Sequence, residues 1–297
     1  MTAPYVAAIG NFDGVHRGHT FLLERTIAFA ASLGARPAAV VFDPHPRRYF
    51  RPDDPPFLIT APEMRNALIV QAGAAAVLPL AFDRGLASLS PEAFVRDVLK
   101  GHLGLAGVVT GADFRFGAGR AGNAAGLAAL CEAHGLRPLI VEPLADQQHT
   151  EKIGSTAIRE ALLTGAVDRA SLMLGRPWRV EGVVEQGRQI GRTLGFATAN
   201  LTLGDLIEPR RAVYAVRAIV DGAVIDGVAN FGRKPTVGAA SPLLEVHLFD
   251  FSGDLYGRVI GVDFIAFLRD ERKFDGLDAL KAQIAADCHA AKAKLRA

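Results

Sequence analysis

Apolar and polar positions over the first 175 residues alternate in blocks. Short apolar runs at Tyr5–Gly10, Pro37–Phe42, Ala74–Leu80, Gly107–Gly111 and Pro138–Val141 are separated by stretches with helical start signals. That pattern predicts buried parallel strands joined by crossover helices. Ser90-Pro91-Glu92 marks a helix start ahead of Phe94–Leu99, and Thr60 with Glu63, beside Pro62, has the spacing of a capping box. Past Pro177 the character changes. The runs Arg179–Glu185, Ala212–Val220, Ala223–Phe231, Leu243–Phe249 and Arg258–Leu268, punctuated by glycine, predict five strands of a small antiparallel barrel. Asp221-Gly222 is a two-residue hairpin turn that makes the flanking strands neighbours. Leu277–Leu295 is rich in Ala and Lys with apolar positions at helical spacing, and predicts one helix closing the barrel. The expected division is an α/β domain over residues 1–175 and a β-barrel domain over 176–297.

Composition narrows the function classes. A length of 297 residues with 50% hydrophobic content suits two ordinary globular modules. Lys and Arg total 33 against 31 Asp and Glu, with no basic stripe, so a nucleic-acid partner is not expected. Cys131 and Cys288 lie far apart, which argues against a disulfide framework or a thiolate zinc site and for a reducing compartment. No signal-peptide pattern opens the chain, and the uncharged run Asn66–Phe82 falls short of the roughly 20 apolar residues of a membrane span. The expectation is a cytoplasmic protein with no membrane partner. Nothing in the sequence identifies a protein partner.

Candidate chemistry lies at strand ends. Gly10-Asn11-Phe12-Asp13-Gly14-Val15-His16-Arg17-Gly18-His19 follows the first strand and opens a helix. Its glycines admit close backbone approach, a helix N-terminus offers free N–H groups, and two histidines three apart suit a polyphosphate. Asp113 and Arg115, in Gly111–Gly117, follow another strand and reach the same sheet edge. Ser155 and Thr156 open a helix and can donate to phosphate, with Arg159 one turn along. His45, in the turn Asp43-Pro44-His45-Pro46, reads as structural. In the second half the loop Gly187–Asn200 is spaced by Gly187, Gly191 and Gly195, carries Arg192, and ends in Thr198 and Asn200. It can cradle phosphates and hold Mg²⁺, which takes oxygen ligands and few protein contacts. Glu245 and His247 alternate onto one face of a strand, where a carboxylate can act as a base.

The string Gly10–His19 resembles the His-x-Gly-His signature of the nucleotidyltransferase superfamily, and at its full length the bacterial FAD synthetase branch. The loop Gly187–Asn200 resembles the Gly-Arg-x-Leu-Gly-Phe-Pro-Thr-Ala-Asn motif of riboflavin kinases, and Leu244–Asp250 their Glu-Val-His-Leu-Phe-Asp segment. Gly227–Thr236, Gly253–Gly257 and Phe267–Phe274 look like further family segments, so the resemblance covers nearly the whole chain. It implies a nucleotidyltransferase-like, Rossmann-like α/β domain with a parallel sheet, then a small antiparallel riboflavin kinase-like β-barrel with a closing helix. It also implies two ATP-dependent steps with Mg²⁺: riboflavin to FMN, and FMN to FAD with release of pyrophosphate.

The resemblance further implies residue roles. His16 and His19 would contact the ATP phosphates, with Gly10, Asn11, Phe12, Asp13 and Gly14 shaping that site and Ser155, Thr156 and Arg159 completing it. Asp113, Arg115 and Arg269 would bind flavin. Gly187, Gly191, Arg192 and Gly195 would bind the kinase ATP, Thr198 and Asn200 the metal, and Glu245 would take the proton of riboflavin's 5′-hydroxyl. Four departures stand out: Gly154 and Ala157 in the Ser-Ser-Thr-Arg-Ile-Arg element, Ala197 for proline, and Ala212 for glycine. Ala197 and Ala212 leave open a monofunctional adenylyltransferase with a degenerate kinase module, and a non-catalytic flavin-binding protein is the alternative from another class.

Overall fold

The structure is a computed structural model that describes residues 3–144, 153–186, 196–232 and 242–296. The chain forms two compact units: Met1–Asp54 with Ala61–Gly154, and Pro55–Thr60 with Ser155–Ala297.

In chain order the first unit runs β1 (Tyr5–Ile9), α1 (Arg17–Ser32), β2 (Arg36–Asp43), α2 (Pro46–Phe50), α3 (Pro62–Gln71), β3 (Ala76–Ala81), α4 (Arg84–Ala87) and α5 (Pro91–Ala93). Then come a π-helical stretch, Phe94–His102, and β4 (Gly107–Gly111), β5 (Arg115–Phe116), β6 (Gly122–Asn123), α6 (Ala124–Ala133) and β7 (Arg137–Val141). The main sheet is parallel, in the order β3-β2-β1-β4-β7. Its central strands β1, β2 and β4 read as continuous apolar runs because both faces are covered, while the edge strands β3 and β7 are only partly buried. Val6 and Ala8 pack with Leu23 and Ile69 on one side, while Ala7 and Ile9 pack with Leu99 and Leu127 on the other. Strand order reverses between β1 and β4, so the crevice beyond their carboxyl ends is where such sheets take ligands.

Two helix starts came out differently from each other. Ser90 caps as expected, accepting from the Ala93 N–H at 3.1 Å. The Thr60–Glu63 capping box does not form: Ala61 is the N-cap, without a side-chain cap bond, and Pro62 is the first helical residue. Thr60 is one position too early, which puts Glu63 at the second helical position rather than the third.

The second unit contains α7 (Ser155–Thr164), α8 (Val167–Leu174), β8 (Trp178–Val183), β9 (Ala199–Leu201), β10 (Ala212–Val220), β11 (Ala223–Gly232), β12 (Leu243–Leu248), β13 (Val259–Asp270) and α9 (Leu277–Arg296). The strands form one antiparallel sheet, in the order β8-β13-β10-β11-β12-β9. A bridge between Glu185 and Asn200 joins its two ends. The sheet therefore has six strands where five were expected. β9 has only three residues, too few to show an alternation of their own. The hairpin at Asp221-Gly222 forms, pairing Val220 with Ala223, and both turn residues have positive φ (49° and 82°) as a type I′ turn requires. The indole Nε1 of the buried Trp178 donates to the Ile59 carbonyl at 2.8 Å, tying Pro55–Thr60 into this unit.

Candidate active sites

The turn after β1 is strained where the sequence concentrates its candidates. Phe12 and Val15 have positive φ (53° and 39°), as has Gly14 (90°). Non-glycine residues in that region persist only where their surroundings fix them. Phe12 is fully buried, Val15 and Asp13 nearly so, and the Val15 N–H donates to the Phe12 carbonyl at 3.0 Å. His16 then caps α1: its Nδ1 accepts the His19 backbone N–H at 3.3 Å. That bond puts the proton of a neutral His16 ring on Nε2. The His16 and His19 rings stack with centroids 3.7 Å apart, and Phe12 packs on His19 at 5.0 Å. Gly18 matters for packing, since a Cβ there would lie 3.2 Å from the His16 ring.

Burial, and then the neighbouring His16, hold the His19 imidazole well below the usual histidine pKa. Its Nδ1 is buried with no hydrogen-bond partner. A buried ring nitrogen without a partner is uncommon in folded proteins.

A cleft of about 900 Å³ opens at this sheet edge and is bordered by Gly10, Asn11, His45, Asp113 and Arg115. Asp113 and Arg115 are exposed, on a short hairpin in which the Phe114 and Phe116 rings stack at 5.8 Å. His45 also has a structural role: its Nδ1 caps α2, accepting the Arg47 N–H at 3.1 Å. Phe50 and Phe82 line the cleft too and meet edge to face at 5.7 Å. The sequence reading missed this aromatic wall. Phe50, 63% exposed at the end of a short helix, has no periodicity in the sequence to mark it.

Ser155 and Thr156 open α7, and Arg159 follows in its second turn. These three belong to the second compact unit. The Arg159 Nε donates to the Phe57 carbonyl at 2.8 Å, and its guanidinium lies over the Phe57 ring at 5.6 Å.

Two adjoining clefts occupy the barrel. One, of about 550 Å³, is bordered by Thr198, Asn200 and the segment Phe251–Tyr256. The other, of about 340 Å³, is more apolar and takes Val213, Ala229, Leu280 and Ile284 together with Asn230, Glu245 and Arg269. Thr198 and His247 border both. Glu245 stands opposite Asn230 on one side and Asn200 on the other in the β-ladder. The Asn200 Oδ1 is buried without a partner, the condition a hard cation would relieve. His247 Nδ1 bonds the Ala197 carbonyl at 2.9 Å. This contact uses the backbone, so alanine in place of proline preserves it. Ala212 is buried in β10, opposite Phe231. Gly187, Gly191, Arg192 and Gly195 lie outside the described residues. The contribution of α9 to the apolar cleft was not foreseen.

A doubly wound sheet with an imidazole pair at its switch point, followed by a small barrel with paired polar and apolar clefts, defines a two-part enzyme of nucleotide chemistry. The comparisons with known proteins specify it further. Residues 1–157 match the FAD synthetase family and residues 174–295 the riboflavin kinase family. Relatives include the bifunctional riboflavin kinase/FMN adenylyltransferases of Pseudomonas fluorescens (41% identical, covering 97% of this chain and 92% of that one), Haemophilus influenzae (38%; 96% and 92%) and Escherichia coli K12 (38%; 95% and 90%). A crystal structure of a macrolide-efflux protein from Streptococcus pneumoniae is 30% identical, with a TM-score of 0.87 over 98% of this chain and 95% of that one. The chain belongs to the bifunctional riboflavin kinase/FMN adenylyltransferase family. Enzymes of this ATP-dependent kind work with a divalent metal. Among the described residues no helix is long and apolar enough to cross a membrane.

Proposed function

We propose that the two activities occupy the two sets of residues described above, and that the enzyme works in the cytoplasm with Mg²⁺. In the first unit a phosphate oxygen of FMN attacks the α-phosphorus of ATP, forming the new P–O bond as the bond to pyrophosphate breaks. The nucleophile is already anionic, so the protein's task is alignment and relief of charge repulsion. His16 and His19 steady the phosphates beside the turn of Gly10, Asn11, Phe12, Asp13 and Gly14. Asp113 and Arg115 orient the flavin. Ser155 and Thr156, at the start of α7, would donate to phosphate, with Arg159 one turn along.

In the barrel the 5′-hydroxyl of riboflavin attacks the γ-phosphorus of ATP. Glu245 accepts the hydroxyl proton as the new bond forms and ADP leaves. The apolar cleft takes the flavin, bounded by Arg269, and the cleft beside Thr198 and Asn200 takes the nucleotide; Gly187, Gly191, Arg192 and Gly195 are proposed as ATP-binding residues on the sequence motif alone. Thr198 and Asn200 would hold Mg²⁺, which neutralises phosphate charge during transfer. The shared walls at Thr198 and His247 favour direct transfer from one cleft to the other.

The observation that carries the adenylylation site is the stacked His16–His19 pair, with its unsatisfied buried nitrogen, at the strand switch point. Imidazole NMR tests it. Adding an ATP analogue with an uncleavable α–β bridge should shift the His16 and His19 ring signals and leave those of His102 and His134 in place. Binding that leaves both rings unmoved would reject the assignment.

A further inference from the structure

Asp287 is a buried carboxylate that neither reaction uses. It is 6% exposed and sits in α9, whose Leu280 and Ile284 face the apolar cleft. Arg269 reaches it from β13 as a fork, Nε to Oδ1 at 2.8 Å and Nη2 to Oδ2 at 2.6 Å. The Gln283 amide adds a third donor at 2.7 Å, and Gln283 in turn accepts from Arg272. The remaining Arg269 nitrogen, Nη1, donates to the Asp270 carbonyl at 2.8 Å. All three guanidinium nitrogens are thus engaged by the protein itself.

The two halves of α9 are held differently. Its C-terminal half is docked by apolar packing, with Ala291 and Leu295 in a core cluster with Val213 and Val228. Its N-terminal half starts at a 61% exposed Leu277, yet supplies the wall of the cleft. The polar fixture at the junction of the halves is the Arg269–Asp287–Gln283 set, with Asp287 at the middle of the helix and Gln283 on its N-terminal half. A buried ion pair is weak evidence for stability, because desolvation offsets its attraction, and its better-attested use is to fix one arrangement among several.

We infer that Arg269 and Asp287 are positioning residues that set the N-terminal half of α9 as the preformed wall of the flavin cleft, so that flavin affinity depends on the pair. A preformed wall avoids the ordering cost of binding. The inference rests on the apolar cleft being the riboflavin site.

The test is steady-state kinetics of the full-length Asp287→Asn enzyme, with FMN adenylylation as an internal control of folding. The riboflavin KM of the kinase should rise about tenfold, while kcat and the ATP KM stay within about threefold, the pattern of lost ground-state binding. Asp287→Glu should recover part of the loss. An unchanged riboflavin KM, or equal rises in both KM values, overturns the inference. If Asp287→Asn destroys the barrel's thermal transition, Gln283→Leu replaces it, with an expected rise of about threefold. Ile284→Trp, which narrows the cleft, separates the two layers of the argument. A raised riboflavin KM there with a silent Asp287→Asn rejects the positioning role alone, and no effect from either rejects the cleft assignment as well.

Discussion

The imidazole turn and the barrel mouth are built in opposite ways. The turn draws its chemistry from one continuous string after one strand, and much of its geometry is local: a capping histidine, a stacked ring three residues on, a glycine that spares the pair. The barrel mouth draws Thr198, Asn230, Glu245, Arg269 and Asp287 from five separated segments, with ladder register setting Asn230 opposite Glu245 and the packing of α9 bringing Asp287 to Arg269. A site of the first kind is tuned by backbone strain and burial. One of the second kind is tuned by what packs across it.

The most severe break in that comparison should come from His19→Ala. FAD formation from FMN should fall by about a thousandfold, the scale of losing a stabilising group at a developing charge, while FMN formation from riboflavin stays at the wild-type rate in a chromatographic assay. Glu245→Gln should do the converse, lowering kinase turnover by roughly a hundredfold or more, the range of general-base catalysis. Asn200→Ala sharpens the metal assignment. Half-maximal kinase activity should need about tenfold more Mg²⁺, and adenylylation should keep its metal dependence.

A pH experiment addresses the turn alone. The folded state holds His19 below its unfolded value of 6.5, so acidification puts a proton on the unfolded chain first. The first unit should therefore be most stable above pH 6.5 and lose stability as pH drops from there toward the lower folded value. His19→Gln should flatten that slope in urea titrations. The smallest effect is expected at the β10–β11 hairpin. Gly222→Ala, at a φ of 82°, should cost about 1 kcal/mol of barrel stability without changing either activity.

The same contrast explains what the sequence made legible. The central strands of the parallel sheet were readable because burial on both faces leaves unbroken apolar runs, and Gly10–His19 because its residues are contiguous. That Glu245 and His247 share one face of β12 was readable from alternation, while a role for Glu245 came only from the family resemblance. Asp287 and Gln283 were not, since on an amphipathic helix they look like ordinary polar positions until β13 is placed beside them. The aromatic wall at Phe50 and Phe82 is likewise a product of tertiary packing. β9 was hidden by its length, and the α3 start was misread because the capping residues are one position out of step with Pro62.

The most direct measurement of two independent sites is a mixing experiment with the folded His19→Ala and Glu245→Gln enzymes, each supplied with riboflavin, ATP and Mg²⁺. Alone, the first should stop at FMN and the second should convert almost no riboflavin. Together in one tube they should produce FAD, because FMN released by one chain is substrate for the other. Failure of the mixture to make FAD, with both proteins folded, would contradict the account.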